Sequence, residues 1–170
     1  MIERLWAGWR IPYIEQDDAQ RVASRSAGLS LFEGIEQSGL PDHETYVLWR
    51  GSRCFALLNA FPYGSGHLMV LPKRAVADLE ALEPDEHTEL FAGVRDAVVA
   101  VKVAYRPQGV NVGINLGTAA GAGVPDHLHV HVLPRWAGDT NFTTAVAELR
   151  VLPEPLSDTW RKVRAAWPHA

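Results

Sequence analysis

His127-Leu128-His129-Val130-His131-Val132-Leu133 is the stretch that decides how this chain folds, and Pro134-Arg135-Trp136 follows it directly. Extended backbone rises roughly 3.3 Å per residue and sends successive side chains to opposite faces. On a strand, His127, His129 and His131 therefore share one face, and Leu128, Val130 and Val132 share the other. The aliphatic face belongs in a core and the imidazole face lines a cleft.

Working outward, Gly117-Thr118-Ala119-Ala120-Gly121-Ala122-Gly123 forms a small-residue loop just upstream. Small side chains let a backbone come close to an anion and turn N–H groups toward it. Gly109–Asn115 before the loop reads as a strand, and Pro84–Tyr105 as a long helix. Pro84, Asp85 and Glu86 suit a helix N-terminus. Leu90, Val94, Ala97, Val98, Val101 and Ala104 recur at helical spacing as one buried stripe. Ala75–Leu82 reads as a second helix. Thr45–Trp49, Cys54–Asn59 and His67–Leu71 read as strands, separated by the turn Arg50-Gly51-Ser52-Arg53 and the loop Phe61–Gly66. Ser157–Trp167 reads as a terminal helix capped by Ser157, with Trp160, Val163, Ala166 and Trp167 on one face. Residues 1–16 read as an arm laid over the domain, followed by a short helix around Ala19–Ser26. The expected fold class is α+β, a mainly antiparallel sheet of about five strands with one long and one or two shorter helices.

A length of 170 residues suits one domain spanning 1–170, with a core at 45–136, an N-terminal arm 1–43 and a C-terminal extension 137–170. The net charge of −4 gives no general attraction for nucleic acid or anionic membranes, so an anionic ligand must be held by local groups. Cys54 is the single cysteine, which excludes an internal disulfide and a cysteine-based zinc cluster. No run resembles a signal sequence or approaches the ~20 apolar residues of a membrane span, so the expected setting is cytoplasmic.

Three imidazoles on one face admit three chemistries. They can be the half-exposed side of an edge strand. They can bind a metal ion, with a further ligand from His67, His43, Asp126 or Asp139. Or one imidazole can attack phosphorus to give a phosphoramidate while its neighbours donate to phosphate oxygens. The small-residue loop beside them favours the third.

These residues carry a resemblance. His127–Leu133 resembles the His-x-His-x-His-x-x signature of the histidine triad (HIT) superfamily, in which x is hydrophobic. Phe55–Asn59 and Gly66–Pro72 resemble its nucleoside-binding strands, and Asn115-Leu116-Gly117 with Ala120-Gly121 its phosphate loop. Trp6–Arg10 and Pro134–Phe142 resemble the bacterial branch that includes diadenosine-tetraphosphate phosphorylases and HIT hydrolases.

The resemblance implies a hydrolase or nucleotidyltransferase acting on dinucleoside polyphosphates. His129 would be the nucleophile, with His127 and His131 touching phosphate and leaving group and His67 packed on the triad. It also implies substrate binding by Asn59, Asn115, Gly121, Ala122, Gly123, Phe55, Leu57 and Trp136. The implied substrate is an adenine nucleotide and the implied assembly a homodimer, with no nucleic acid or membrane partner. No cofactor is implied for the chemistry and no metal site, though a divalent cation can accompany the polyphosphate. The alternative is a nucleotide-binding protein of the same fold with little catalysis. Two departures stand out. Ser30-Leu31-Phe32-Glu33 occupies the region where many bacterial relatives carry a Cys-x-x-Cys zinc pair, so that zinc is expected to be absent. Ala122-Gly123 stands where the phosphorylase branch has Gly-Ser, which leaves water and inorganic phosphate both open as the second nucleophile.

Overall fold

The computed structural model describes residues 28–139 and 154–168. The expected arm 1–16, the helix around Ala19–Ser26 and His169 lie outside the described residues.

A five-stranded sheet in the order β1-β2-β3-β5-β4 forms the body of the molecule. Its strands are β1 (Val47–Arg50), β2 (Cys54–Leu58), β3 (Leu68–Pro72), β4 (Gly109–Ile114) and β5 (Val130–Arg135). Every neighbouring pair is antiparallel. Four α-helices are described: α1 (Leu31–Glu36), α2 (Asp42–Thr45), α3 (Pro84–Tyr105) and α4 (Leu156–Ala165).

Residue alternation sorts the two faces. Ala56, Leu58, Leu68, Val70, Leu128, Val130 and Val132 point toward α3 and α4, where Leu90, Val94, Ala97, Val101, Val163 and Trp167 close the main core. The opposite face carries Phe55, Leu57, Met69 and Leu71, covered by Phe32 and Ile35 of α1. The register sets Met69 opposite His131, so the histidine row continues this second face.

Helix α3 has the expected bounds, with Pro84 in its first turn. Three local expectations are corrected. Ala75–Leu82 is not a helix: only Leu79–Ala81 makes a 3-10 turn. The Val76 carbonyl is taken by the Leu128 N–H at 2.7 Å, and the Ala75 N–H by the Glu33 carboxylate at 2.9 Å, so this backbone bonds sideways rather than along itself. The expected strand from Thr45 starts instead at Val47, because Asp42–Thr45 coils and Tyr46 ends it at a left-handed φ of 55°. Ser157 lies inside α4 rather than at its cap, which is Pro155.

Candidate active site

The triad straddles the start of β5. His131 is in the strand, while His127 and His129 lie in the extended approach to it, which Leu128 ties to Val76. His127 is fully buried and His129 nearly so, at 0% and 5% exposure. A ring in such a place must have its nitrogens matched by fixed partners, and those partners assign the protons.

His127 Nε2 lies 2.8 Å from the Pro72 carbonyl oxygen, which can only accept, so Nε2 carries the hydrogen. Its Nδ1 is then a lone pair, 2.7 Å from the Ser30 hydroxyl, which donates to it. His129 Nδ1 lies 2.8 Å from the His127 carbonyl oxygen, so here Nδ1 carries the hydrogen. The other nitrogen of His129 makes no hydrogen bond among the described residues and carries a lone pair, and His129 lines the cavity. On the far side, the Tyr63 N–H donates to His67 Nδ1 at 3.0 Å, leaving the hydrogen of His67 on Nε2. That hydrogen is donated to His131 Nδ1 at 3.0 Å. His131 therefore keeps its own hydrogen on Nε2, a buried atom with no partner among the described residues. One free nitrogen offers a lone pair and the next a proton.

Burial disfavours the cationic form of each ring. It pushes His127 and His129 below the ordinary imidazole value of 6.5, against the opposing pull of the carbonyls each ring bonds. His131 is lowered to about 4, by burial first and by the neighbouring His129 second. All three are neutral at pH 7, as the assigned tautomers require.

A cavity lies beside His129 and His131. Leu31, Phe32 and Ile35 of α1 form one wall, and Leu57, Asn59, Phe61 and Tyr63 another, with Gly121, Gly123, His129 and His131 at the base. Phe32 sets its edge against His127 and His129, with ring centroids 5.3 and 5.4 Å away. Of the residues expected at the site, His129, His131, Asn59, Leu57, Gly121 and Gly123 meet here. Asn59 also holds the turn after β2, accepting the Phe61 N–H at 2.9 Å. Asn115 stands behind the loop, where a Cβ on Gly121 would lie 3.9 Å from its amide nitrogen.

Other expected residues stand outside the cavity lining. Phe55 is fully buried beneath it, and Ala122 is buried in the loop. Trp136 packs edge-on against Tyr105, at the other end of β5. Arg135 is held by Asp139 and by Asn111. The glycine loop is also less open than its composition implies. Gly117 at φ 76° and Gly121 at φ 93° bracket a 3-10 turn, in which Ala120 and Ala122 donate to the Gly117 carbonyl and Gly121 to that of Thr118. Those three N–H groups are engaged within the loop.

Sequence reasoning missed α1 and Tyr63. Ser30-x-x-Glu33 is a capping-box pattern, the one local signal of where this helix starts. It forms here, with Glu33 N–H donating to the Ser30 hydroxyl at 3.2 Å and Ser30 N–H to the Glu33 carboxylate at 2.9 Å. Among the described residues no group of three or more His, Cys, Asp or Glu side chains is arranged to hold a metal ion. None of the described helices is long and apolar enough to cross a membrane.

A family model described as the HIT domain matches residues 41–138. Over 167 residues, 98% of this chain and 85% of the relative, the sequence is 43% identical to a Mycobacterium tuberculosis protein named AP-4-A phosphorylase. Over 93 residues, 55% of this chain and 50% of the relative, it is 39% identical to the asymmetrical bis(5'-nucleosyl)-tetraphosphatase of Schizosaccharomyces pombe. A solved structure of a zinc-bound histidine triad family protein from Mycobacterium smegmatis shares the fold with a TM-score of 0.65 at 27% identity, covering 81% of this chain and 91% of that one.

Proposed function

This chain belongs to the histidine triad family, and from that premise we propose that it cleaves dinucleoside polyphosphates through a nucleotidyl group held covalently on His129. The observation that carries the reading is the pair of opposed tautomers: a lone pair on His129 Nε2 beside an N–H on His131 Nε2.

The nitrogen lone pair attacks the α-phosphorus of a bound nucleotide. A P–N bond forms, the P–O bond to the β-phosphate breaks, and the leaving nucleotide departs with the bonding pair. As the ring becomes cationic, its Nδ1–H strengthens its bond to the His127 carbonyl. His131 Nε2–H donates to an oxygen of the reacting phosphates, where negative charge accumulates. The departing polyphosphate is a stable anion, so hydrogen bonding suffices and no proton need be transferred. In the second step an oxygen nucleophile attacks phosphorus, the P–N bond breaks, and His129 regains its lone pair. Inorganic phosphate yields a nucleoside diphosphate, and water yields a monophosphate with release of a proton.

The apolar walls from Leu31, Phe32, Ile35 and Leu57 suit a base, and Asn59 at the strand end suits ribose hydroxyls. Adenine is the base this reading assigns. His127 differs from its expected role: both its nitrogens are bonded within the protein, so it orients His129 instead of touching phosphate. The chemistry needs no cofactor, and a divalent cation, where present, travels with the polyphosphate.

The same reading gives a single-domain cytoplasmic enzyme that works as a homodimer joined along the sheet edge. Support for the dimer is β4, an end strand whose Val112 is 48% exposed.

Incubation with diadenosine tetraphosphate, with and without phosphate, tests the function. ADP plus ATP means phosphorolysis and AMP plus ATP means hydrolysis. Absence of an acid-labile, base-stable nucleotidyl-histidine label, in a protein that turns over substrate, would remove the covalent step. No turnover of any nucleotidyl substrate would leave a binding protein.

A further inference from the structure

We infer that Ser30 is a positioning residue for this reaction: its hydroxyl, acting through His127, fixes the ring and the proton of His129. The inference rests on the reading of His129 as nucleophile.

A serine hydroxyl has one hydrogen to give, and the surroundings of Ser30 decide where it goes. The Glu33 N–H donates to Oγ at 3.2 Å, using an acceptor site and leaving the O–H for His127 Nδ1 at 2.7 Å. Ser30 is itself held from behind, its N–H on Glu33 Oε2 at 2.9 Å, while Glu33 Oε1 receives the Ala75 N–H at 2.9 Å. The hydroxyl is thus aimed by the N-terminus of α1 rather than free to rotate.

His127 stands between two partners that oppose each other. The Pro72 carbonyl demands a hydrogen on Nε2, and Ser30 supplies one to Nδ1. Without the hydroxyl, Nδ1 becomes a buried acceptor with no donor. Turning the ring to correct this would break the bond to Pro72. The main chain of the same residue carries the carbonyl that receives His129 Nδ1–H at 2.8 Å. Anchoring the ring at both nitrogens therefore also holds in place the residue whose main-chain carbonyl keeps the reactive nitrogen of His129 unprotonated. Phe32, next to Ser30 in sequence, packs its edge on both rings, so the same short segment holds each ring by contact as well.

The test separates the hydroxyl from the helix cap. Glycine is an adequate N-cap but has no hydroxyl, whereas threonine keeps both. Nitrogen-15 NMR of the histidine rings in Ser30→Gly should show the unprotonated Nδ1 of His127 losing its hydrogen bond, a downfield shift, and His129 losing its uniform Nδ1–H state. The kcat for diadenosine tetraphosphate should fall roughly ten- to a hundredfold with KM little changed, and Ser30→Thr should restore both readouts. Ring signals in Ser30→Gly identical to those of the unaltered protein would overturn the inference. So would an equal loss in Ser30→Thr, which would mean a packing role only. If the unaltered protein turns over no nucleotidyl substrate, the proposed function falls, and the ring signals still decide whether Ser30 orients the two histidines.

Discussion

His127, His129 and His131 have identical side chains, yet their neighbours assign them three different hydrogen-bond states, and activity should divide accordingly. His129→Ala removes the lone pair that meets phosphorus and should lower kcat on the order of 10⁴-fold or more, read by single-turnover kinetics. The pH response follows from burial. His131 titrates at about 4 in the fold, against 6.5 for an ordinary imidazole. As pH falls, the unfolded chain takes up this proton first, so the fold loses stability relative to it. The contribution of the neutral ring is complete above pH 6.5 and is lost progressively as pH drops toward 4. The thermal midpoint of the unaltered protein should therefore decline more steeply over that window than that of His131→Gln, and parallel curves would refute the assignment. For the same reason the acid limb of kcat/KM should lie below pH 6.5, because burial lowers His129 from the ordinary imidazole value.

At the scale of elements, α1 shows what short helices require. Six residues are too few to be stable alone, so Leu31–Glu36 depends on its connections. Its last turn is tied to the sheet through Glu36, which meets Arg50 at 3.3 Å and Lys73 at 3.2 Å. At its first turn, Glu33 receives the N–H groups of Ser30 and Ala75. Glu33→Ala leaves both part-buried donors without that acceptor and should cost about 1–3 kcal/mol in urea unfolding. A change within 0.5 kcal/mol, the range typical of neutral surface substitutions, would mean that solvent replaces the carboxylate. This helix also marks where sequence reading stopped. Its capping residues were visible, but six positions carry too little periodicity to announce a helix or say what it covers. Ala75–Leu82 failed in the opposite direction. Its composition suits a helix, and only the distant claim of the Leu128 N–H on the Val76 carbonyl decides otherwise.

The whole molecule was more legible than its connections, because sheet faces and the long helix are written in alternation and in three- and four-residue spacing. Leu128, Val130 and Val132 had to face a core, and the stripe from Leu90 to Val101 had to supply it. The hydrogen bonds that assign His127 its proton come from residues 55 and 97 positions away, Pro72 and Ser30, and the one that assigns His131 its proton comes from His67, 64 positions away; only His129 is set locally, by the His127 carbonyl. What the sheet leaves open is its edge. Among the described residues β4 pairs with β5 alone, and it carries the half-exposed side chain of Val112. Edge strands in monomers are commonly guarded by charge, proline or a bulge, whereas β4 reads Gly-Val-Asn-Val-Gly-Ile and carries neither charge nor proline. The proposed dimer would cover this strand with its own copy. A lysine there places like charges near the two-fold axis, and at 48% exposure its long side chain can reach solvent. Val112→Lys should therefore shift sedimentation at micromolar concentration from twice the chain mass to the chain mass, with the thermal unfolding of the monomer still cooperative. Sedimentation of the unaltered protein as a monomer would exclude the dimer. A variant that stays dimeric would move the interface away from β4.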